Sequence, residues 1–241
     1  MSLQLRTLSF DANDPLRLAN FWADALGWEI REGAAGSIQL SPTDGTRFSI
    51  TFLPADLAQK QDKNRLHLDL TTTSKDDQTG SVERLVALGG RHIDIGQRSD
   101  EPHVVLADPE GNEFCVIEPE NAFLAGCDRL GSITCDGTRK VGYFWSEALE
   151  WPLVWDENEE TAIRAPDGKG PFITWGPPVP PKREKNRLHL EFALSPGDDA
   201  SVEIDRLVAL GAKHGDAGQD VGGNVAMLDP DGNEFYVLIS G

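Results

Sequence analysis

The chain of 241 residues carries 40 acidic and 22 basic side chains, a formal net charge of −18 at pH 7, which repels phosphate backbones and excludes nucleic acid as a partner. A hydrophobic content of 39% with 26% charged residues excludes a disordered or fibrous protein, and the apolar runs are too short to cross a bilayer. The first ten residues lack a basic region followed by an apolar stretch, and the three cysteines lack CxxC spacing, so we expect a cytoplasmic protein without disulfides or a zinc knuckle.

The first 53 residues predict a strand, a helix and two further strands. Polar and apolar residues alternate over 5–11, as in a half-buried strand. Asp14 can cap a helix that has Pro15 in its first turn and ends at Gly27. Two strands are then predicted over 37–40 and 47–53, with a turn between them.

A second unit of the same kind follows the polar connection 54–63. It consists of a strand over 66–70, a helix over 81–88 and two strands over 104–107 and 113–117. The turn Asp108-Pro109-Glu110-Gly111 joins the last two strands, because proline fixes φ at its second position and glycine accepts the conformation that follows. The pattern strand-helix-strands therefore occurs twice before residue 121.

The second half of the chain repeats the first. NRLHLDL at 64–70 returns as NRLHLEF at 186–192, and DPEGNEF at 108–114 returns as DPDGNEF at 229–235. FWADALGW, which begins at Phe21, returns as FWSEALEW from Phe144. Several matches in one order indicate the duplication of a whole domain. We therefore predict two domains, 1–121 and 122–241, and four modules.

The paired modules, the histidine-bearing strand and the DPxGNxF hairpin together resemble the vicinal oxygen chelate superfamily. Within it, the chain is most similar to tandem glyoxalase-like (glyoxalase/bleomycin-resistance/dioxygenase) domains. The resemblance implies an α+β fold in which paired βαβββ modules form curved mixed sheets around a cleft. It leaves open whether the modules pair within a copy or across copies. It also leaves the reaction open, because this fold hosts several chemistries.

The positions of the metal ligands in metal-dependent members of the superfamily are mostly not matched here. The resemblance places Thr7, Ser49 or Thr51, His67 and Cys115 there in the first copy, and Ser132, Phe172 or Thr174, His189 and Tyr236 in the second. One imidazole with hydroxyls and at most one thiol is a poor set for a divalent ion. We therefore expect no cofactor, with a divalent metal as the less favoured alternative.

The sequence also contains two similar pairs of a histidine and an acid. His67 and Asp69 lie two apart on a strand and so project from one face, and His189 and Glu191 repeat this arrangement. Such a pair could act as a general acid and base, or hold a ligand; a structural network across the sheet is the alternative. Cys115 could be a nucleophile, but a small buried side chain is the preferred interpretation.

Two hypotheses for function follow. The preferred one is a bleomycin-resistance-like protein that binds a small molecule in the cleft without a metal. The residues expected at its ligand sites are Thr7, Ser49, His67, Asp69, Cys115, Ser132, His189, Glu191 and Tyr236. The acidic charge either favours a cationic ligand or serves solubility alone.

The alternative is an enzyme (a lyase, isomerase or dioxygenase) that acts on a small carbonyl or aromatic compound. In that case His67 and Asp69 are the candidate catalytic residues. In a third interpretation, one copy keeps a site and the other is structural. Fusion of two copies predicts a monomeric pseudo-dimer, with a homodimer as the alternative.

Overall fold

The computed structural model describes residues 3–58, 60, 62–215 and 224–239. It contains four βαβββ modules in chain order. The elements of the first copy are β1 (Gln4–Ala12), α1 (Pro15–Leu26), β2 (Glu29–Glu32), β3 (Ile38–Ser41), β4 (Ser49–Pro54), β5 (Leu66–Leu70), α2 (Lys75–Ala87), β6 (Arg91–His92), β7 (Val104–Ala107) and β8 (Glu113–Val116).

The second copy has the same order of elements. They are β9 (Leu130–Asp136), α3 (Arg139–Leu149), β10 (Leu153–Glu157), β11 (Glu160–Ile163), β12 (Phe172–Gly176), β13 (Leu188–Ala193), α4 (Ala200–Leu210), β14 (Lys213–His214), β15 (Val225–Leu228) and β16 (Glu234–Leu238). The predicted α+β class and the predicted duplication are therefore confirmed.

Helix α1 begins and ends where its sequence predicts. The Asp14 carboxylate accepts a hydrogen bond from the backbone N–H of Arg17 at 3.1 Å, which satisfies one of the free amides of the first turn. The helix ends at Gly27, whose φ of 75° lies in the left-handed region that glycine adopts without strain. Its apolar face carries Trp22, which is fully buried.

The predicted hairpin turn at 108–111 is also confirmed. The backbone N–H of Gly111 donates to the carbonyl of Asp108 at 3.0 Å, and Gly111 has a φ of 91°. The Asp108 side chain is fully buried and accepts hydrogen bonds from the backbone N–H groups of Glu110 and Asn112. It also accepts one from the indole N–H of Trp22 on α1, so this turn ties the two modules of the first copy together.

Two eight-stranded mixed sheets form, and each takes one module from each copy. The first sheet has the order β14-β15-β16-β13-β1-β4-β3-β2, and the second has β10-β11-β12-β9-β5-β8-β7-β6. The antiparallel pairs β1 with β13 and β5 with β9 join the copies. The modules therefore pair across the predicted boundary near residue 121, and the connections β4–β5 and β12–β13 pass from one sheet to the other.

The core lies on the face of the sheets that the helices cover. Leu66, Leu68 and Leu70 of β5 are all buried, and on β8 Phe114 packs its ring 5.1 Å from that of Trp22. Trp145 of α3 repeats this contact in the second copy. Within the described residues no helix combines the length and the apolar character needed to span a bilayer.

Candidate functional site

The structure gathers the predicted site residues into two places, one on each sheet. The second-sheet site consists of His67, Asp69, Cys115, Ser132, Thr134 and Thr174. The first-sheet site consists of Thr7, Ser9, Ser49, Thr51, His189, Glu191 and Tyr236. Both sites occupy the four central strands of their sheet.

This arrangement corrects the residue sets that were compiled copy by copy. His67 does not share a site with Thr7 and Ser49, because β5 pairs with β9 of the other copy. Instead, Thr134 lies opposite His67, and Ser132 lies opposite Asp69. The duplicated sequence hides this exchange, since both partners of each strand carry similar residues.

In the second-sheet site, Asp69 is the centre of a hydrogen-bond network. One carboxylate oxygen accepts bonds from the hydroxyls of Ser132 at 2.5 Å and Thr134 at 2.6 Å. The other oxygen lies 3.5 Å from Nε2 of His67. Thr174 extends the network by donating to the Thr134 hydroxyl at 3.0 Å.

This network keeps the carboxyl group of Asp69 ionised. Burial alone would raise its pKa, but the charge of His67 and the hydrogen bonds from His67, Ser132 and Thr134 together bring it below its ordinary value. A buried carboxylate held in this way can orient the imidazole or attract a positive charge. It is poorly suited to act as a proton donor, because it stays ionised at neutral pH.

A cavity of about 360 Å³ opens over His67 and Asp69. Its walls include the aromatic residues Phe123 and Trp155. Phe123 lies in the connection between the copies and stacks on Phe172, with the ring centroids 4.7 Å apart. This volume is in the range of small-molecule sites in proteins.

The charged groups on the cavity walls are mainly acidic. Besides Asp69 they include Asp136 and the exposed Glu160, against one lysine, Lys63. Asp136 forms an ion pair with Lys63 at 3.1 Å. The site therefore combines aromatic surface with negative charge.

Cys115 is a buried neutral thiol. Burial raises the pKa of this thiol well above its ordinary value, and the neighbouring Asp69 carboxylate raises it further. A thiolate is the nucleophilic form of cysteine, so this environment opposes a nucleophilic role. The location agrees with the preferred interpretation of a small buried side chain.

His67, Asp69 and Cys115 bring three donor atoms within 4.8 Å of one another. A nitrogen, an oxygen and a sulfur at such distances could contact one ion of borderline character such as Zn²⁺. Two features oppose it. Asp69 would have to give up bonds that it already makes, and Cys115 would have to lose a proton against its raised pKa. The other two family positions are the hydroxyls of Ser132 and Thr174, which are weak ligands.

The first-sheet site has the same polar framework but is filled. His189 is 2% exposed and its Nε2 lies 3.3 Å from Glu191, which also accepts a hydrogen bond from Ser9 at 2.6 Å. The ring of Tyr236 lies 4.8 Å from the imidazole of His189. In the second sheet the small Cys115 occupies the corresponding place opposite the acidic residue.

Thr7 and Ser49 belong to a network inside the first sheet. The Thr7 hydroxyl lies 2.8 Å from that of Thr51 and donates to the backbone carbonyl of Ser49 at 3.0 Å. The Ser49 hydroxyl accepts a bond from the side chain of Gln39 at 2.9 Å. These hydroxyls are therefore engaged in hydrogen bonds within the sheet.

Sequence reasoning missed several residues that line the second-sheet cavity. Trp155 and Phe123 belong to parts of the chain that the repeat does not match, and this difference between the copies was the available signal. Lys63 and Asp136 correspond in the repeat to Lys185 and Asp11, which also form an ion pair between the copies, so the repeat also marked these residues. Each lysine lies close to its aspartate because modules of the two copies pair with each other, and the sequence contains no pattern that indicates this pairing.

Comparison with known proteins agrees with this architecture. A family model described as a glyoxalase-like domain matches the chain twice, over residues 7–117 and 132–238. Glyoxalase I from Zea mays is similar with a TM-score of 0.63 and 14% identity, over 98% of this chain and 92% of that one. A putative dioxygenase from Bacillus subtilis is similar with a TM-score of 0.58 and 16% identity, over 98% and 84%.

At these identities the structural likeness shows the fold alone. A comparison with the curated proteins gave no match. The family model, by contrast, covers most of the chain in two tandem copies. The chain therefore belongs to the glyoxalase-like domain family.

Proposed function

We propose that the protein binds one small molecule per chain, in the second-sheet cavity, without a divalent metal. The observation that carries this proposal is the difference between the two sites. A cavity of about 360 Å³ lies over His67 and Asp69, whereas the ring of Tyr236 packs against His189 in the equivalent place. Ligand pockets are concave and largely preformed. Among the residues that the structure describes, the second-sheet site meets this condition.

The walls of the cavity favour a planar organic cation. Trp155 and Phe123 supply aromatic surface, which attracts positive charge when the ring quadrupole is desolvated. Asp69 and Glu160 add negative charge, and the net charge of −18 raises the local concentration of cations. A neutral ligand of the same shape would lack these attractions.

The absence of a metal is part of the proposal and follows from the donors. Asp69 is already held by two hydroxyls and by His67. Elemental analysis of protein purified without chelators tests this point directly. Metal at much less than one equivalent per chain is expected, and one equivalent of zinc, iron, manganese or nickel would contradict it.

The binding experiment uses matched pairs of compounds. Aromatic ammonium ions and their neutral isosteres are titrated by calorimetry, with the thermal unfolding midpoint as a second readout, since a ligand that binds only the folded state raises stability. A stoichiometry of one is expected, with the cation bound more tightly than its isostere. Equal affinity would contradict the cationic class, and binding at two equivalent sites would contradict the one-site proposal.

Two variants locate the site. Trp155→Ala removes a cavity wall at a side chain that is 36% exposed, so we expect weaker binding with an unchanged fold. Tyr143→Ala is the matched control, because this aromatic side chain is 42% exposed and does not line the cavity. Equal affinities of the two variants would place the ligand elsewhere.

A metal-dependent enzyme of the same superfamily is the second candidate function. The cluster of His67, Asp69 and Cys115 favours it as a set of donor atoms for a metal ion. In the alternative form of this candidate, without a metal, His67 and Asp69 act as acid and base in a lyase, isomerase or dioxygenase reaction. Stoichiometric metal that is lost in a His67→Ala variant would support this candidate over the first.

A cytoplasmic location and a monomeric pseudo-dimer, rather than a homodimer, remain predictions. Light scattering during size-exclusion chromatography measures the oligomeric state.

A further inference from the structure

The two connections that pass between the sheets enclose a second cavity, here called the strap cavity. Its volume is about 270 Å³. Its walls come from the β4–β5 connection (residues 60 and 62–65), the β12–β13 connection (residues 178 and 180–187) and Asp136. Seven of the chain's 22 lysine and arginine side chains line it, against three acidic ones. Such a concentration of cations is unexpected in a protein with a net charge of −18.

The four lysines of the strap cavity each form an ion pair with a carboxylate, which neutralises their charge. Lys63 pairs with Asp136 at 3.1 Å, and Lys185 pairs with Asp11 at 2.8 Å. Lys60 and Lys182 form ion pairs with Glu113 and Glu234, the glutamates of the two repeated hairpins. These pairs hold the connections to the sheets and leave the lysines with little net charge.

The two arginines of the repeated NRLHL segments differ from the lysines. Arg65 is 8% exposed. Its guanidinium donates hydrogen bonds to the backbone carbonyl of Asp231 and to the side-chain oxygen of Asn233, both at 3.1 Å, and to the backbone carbonyl of Pro180. Arg187 donates to the carbonyl of Ala58 at 2.7 Å. All of these acceptors are neutral, and no carboxylate of the described residues forms an ion pair with either arginine.

A guanidinium stays charged at every physiological pH, and a buried charge is costly unless an opposite charge accompanies it. Arg65 is a buried charge whose hydrogen bonds go to neutral acceptors, and the carboxylate that acts on it, Asp136, is itself paired with Lys63. Arg187 lines the same cavity from the other copy. Guanidinium groups bind the oxygens of phosphate and carboxylate through two parallel hydrogen bonds.

We propose that the strap cavity is a binding site for an oxyanion, a phosphate or carboxylate group held between Arg65 and Arg187. This site is distinct from the ligand cavity and does not depend on the proposed function. The two cavities do share Lys63, Asp136 and Pro178 as a common wall. The oxyanion is therefore either a free ion or the acidic end of a longer ligand that extends from the ligand cavity.

Titration with inorganic phosphate tests the proposal on the intact chain. Calorimetry and the thermal unfolding midpoint are followed against sodium chloride at the same ionic strength, so that screening is held constant. Saturable binding and a saturable rise of the midpoint are expected for phosphate. A response identical to that of chloride would overturn the proposal, and overall repulsion by the acidic chain makes unspecific phosphate binding a poor explanation for saturation.

Two variants of Arg187 assign the site. Arg187→Gln should weaken phosphate binding at least about tenfold, and Arg187→Lys, which keeps the charge without the paired donors, should lose less. Arg98→Gln is the control, because this arginine is 76% exposed and lies outside the cavity walls. Phosphate binding by Arg187→Gln at the affinity of the unmodified chain would overturn the assignment.

Phenyl phosphate distinguishes the two sources of the anion. If the oxyanion is the end of a longer ligand, phenyl phosphate binds more tightly than phosphate, and Trp155→Ala in the ligand cavity removes that gain. If the site takes free ions, both compounds bind equally and Trp155→Ala has no effect. Either result supports the oxyanion site, whereas failure of both compounds to bind contradicts it and leaves the ligand-cavity proposal untouched.

Discussion

At the scale of single residues, the two sites share a histidine with an acidic partner but differ in the space around that pair. Alternation along β5 and β13 correctly placed each histidine and its acidic partner on one face. The contrast between Cys115 and Tyr236 was visible in the repeat, yet its consequence depends on the packing of four strands. Thr134 was missed because a hydroxyl on an alternating strand carries no signal of its own.

Asp69 should make stability depend on pH. Its folded-state pKa lies below the ordinary value of 3.8, so its ionised form stabilises the fold above about pH 4, and this contribution is lost as the pH falls through the folded-state pKa. Asp69→Asn should lower the unfolding free energy at pH 7 by about 1–3 kcal/mol. Urea unfolding between pH 7 and acid conditions measures this, and a flatter pH profile for the variant is the expected sign.

Glu191→Gln on the first sheet is the matched control for that experiment. Its carboxylate also has a lowered pKa, because the hydrogen bonds from His189 and Ser9 outweigh the effect of burial. We expect a comparable loss of stability in both variants but weaker ligand binding only in Asp69→Asn. Equal losses of binding would contradict a single ligand site.

Tyr236 should contribute to stability through its ring rather than its hydroxyl. It is 8% exposed and packs on His189, so Tyr236→Ala should leave a cavity and destabilise the fold by about 3–5 kcal/mol. Tyr236→Phe keeps the ring and should cost much less. Urea unfolding compares the two, and similar losses would show that the hydroxyl, not the filling of the site, matters.

At the scale of elements, the prediction was good where capping and periodicity coincide and poor where only one was present. Helix α1 had both and was placed correctly. Helix α2 begins at Lys75 rather than at the predicted Ser81. The prediction missed its first turns because they are polar and contain Gly80, so apolar residues do not recur there at helical spacing. The available signal was the cap, since the Ser74 hydroxyl accepts the backbone N–H of Asp77 at 3.0 Å. The short exposed strand β2 gave no pattern at all.

The cap of α1 offers a test at this scale. Asp14→Ala removes the bond to the backbone N–H of Arg17 and should destabilise the protein by about 1 kcal/mol. Asp24→Ala, at an exposed position of the same helix, should change stability little. The midpoints of urea unfolding compare the variants, and equal effects would show that the loss comes from charge rather than from capping.

At the scale of the whole molecule, the sequence predicted four modules and left their pairing open. A module of either copy offers strands with the same hydrophobic pattern, so the local sequence does not determine which module pairs with which. The structure shows that β1 pairs with β13 and β5 with β9. Each copy alone would therefore expose the edges of two half-sheets, which are templates for further pairing.

Separate production of residues 1–121 and 122–241 tests this exchange. Each piece alone should associate with itself or aggregate, and mixing the two during refolding should restore a species of the size of the full chain. Size-exclusion chromatography with light scattering distinguishes these outcomes. A stable, folded monomer of either piece would contradict the dependence of each copy on the other.

The connection between the two copies exists only once per chain, and its Phe123 and Leu124 form part of the wall of the ligand cavity. A homodimer of identical single domains has a two-fold axis, so each of its sites must have the same walls and the same affinity. Joining the subunits covalently breaks that symmetry. One site can then gain a wall from the joining segment and specialise, while in the other a tyrosine packs where the cleft would be. A substitution in one site no longer appears in both.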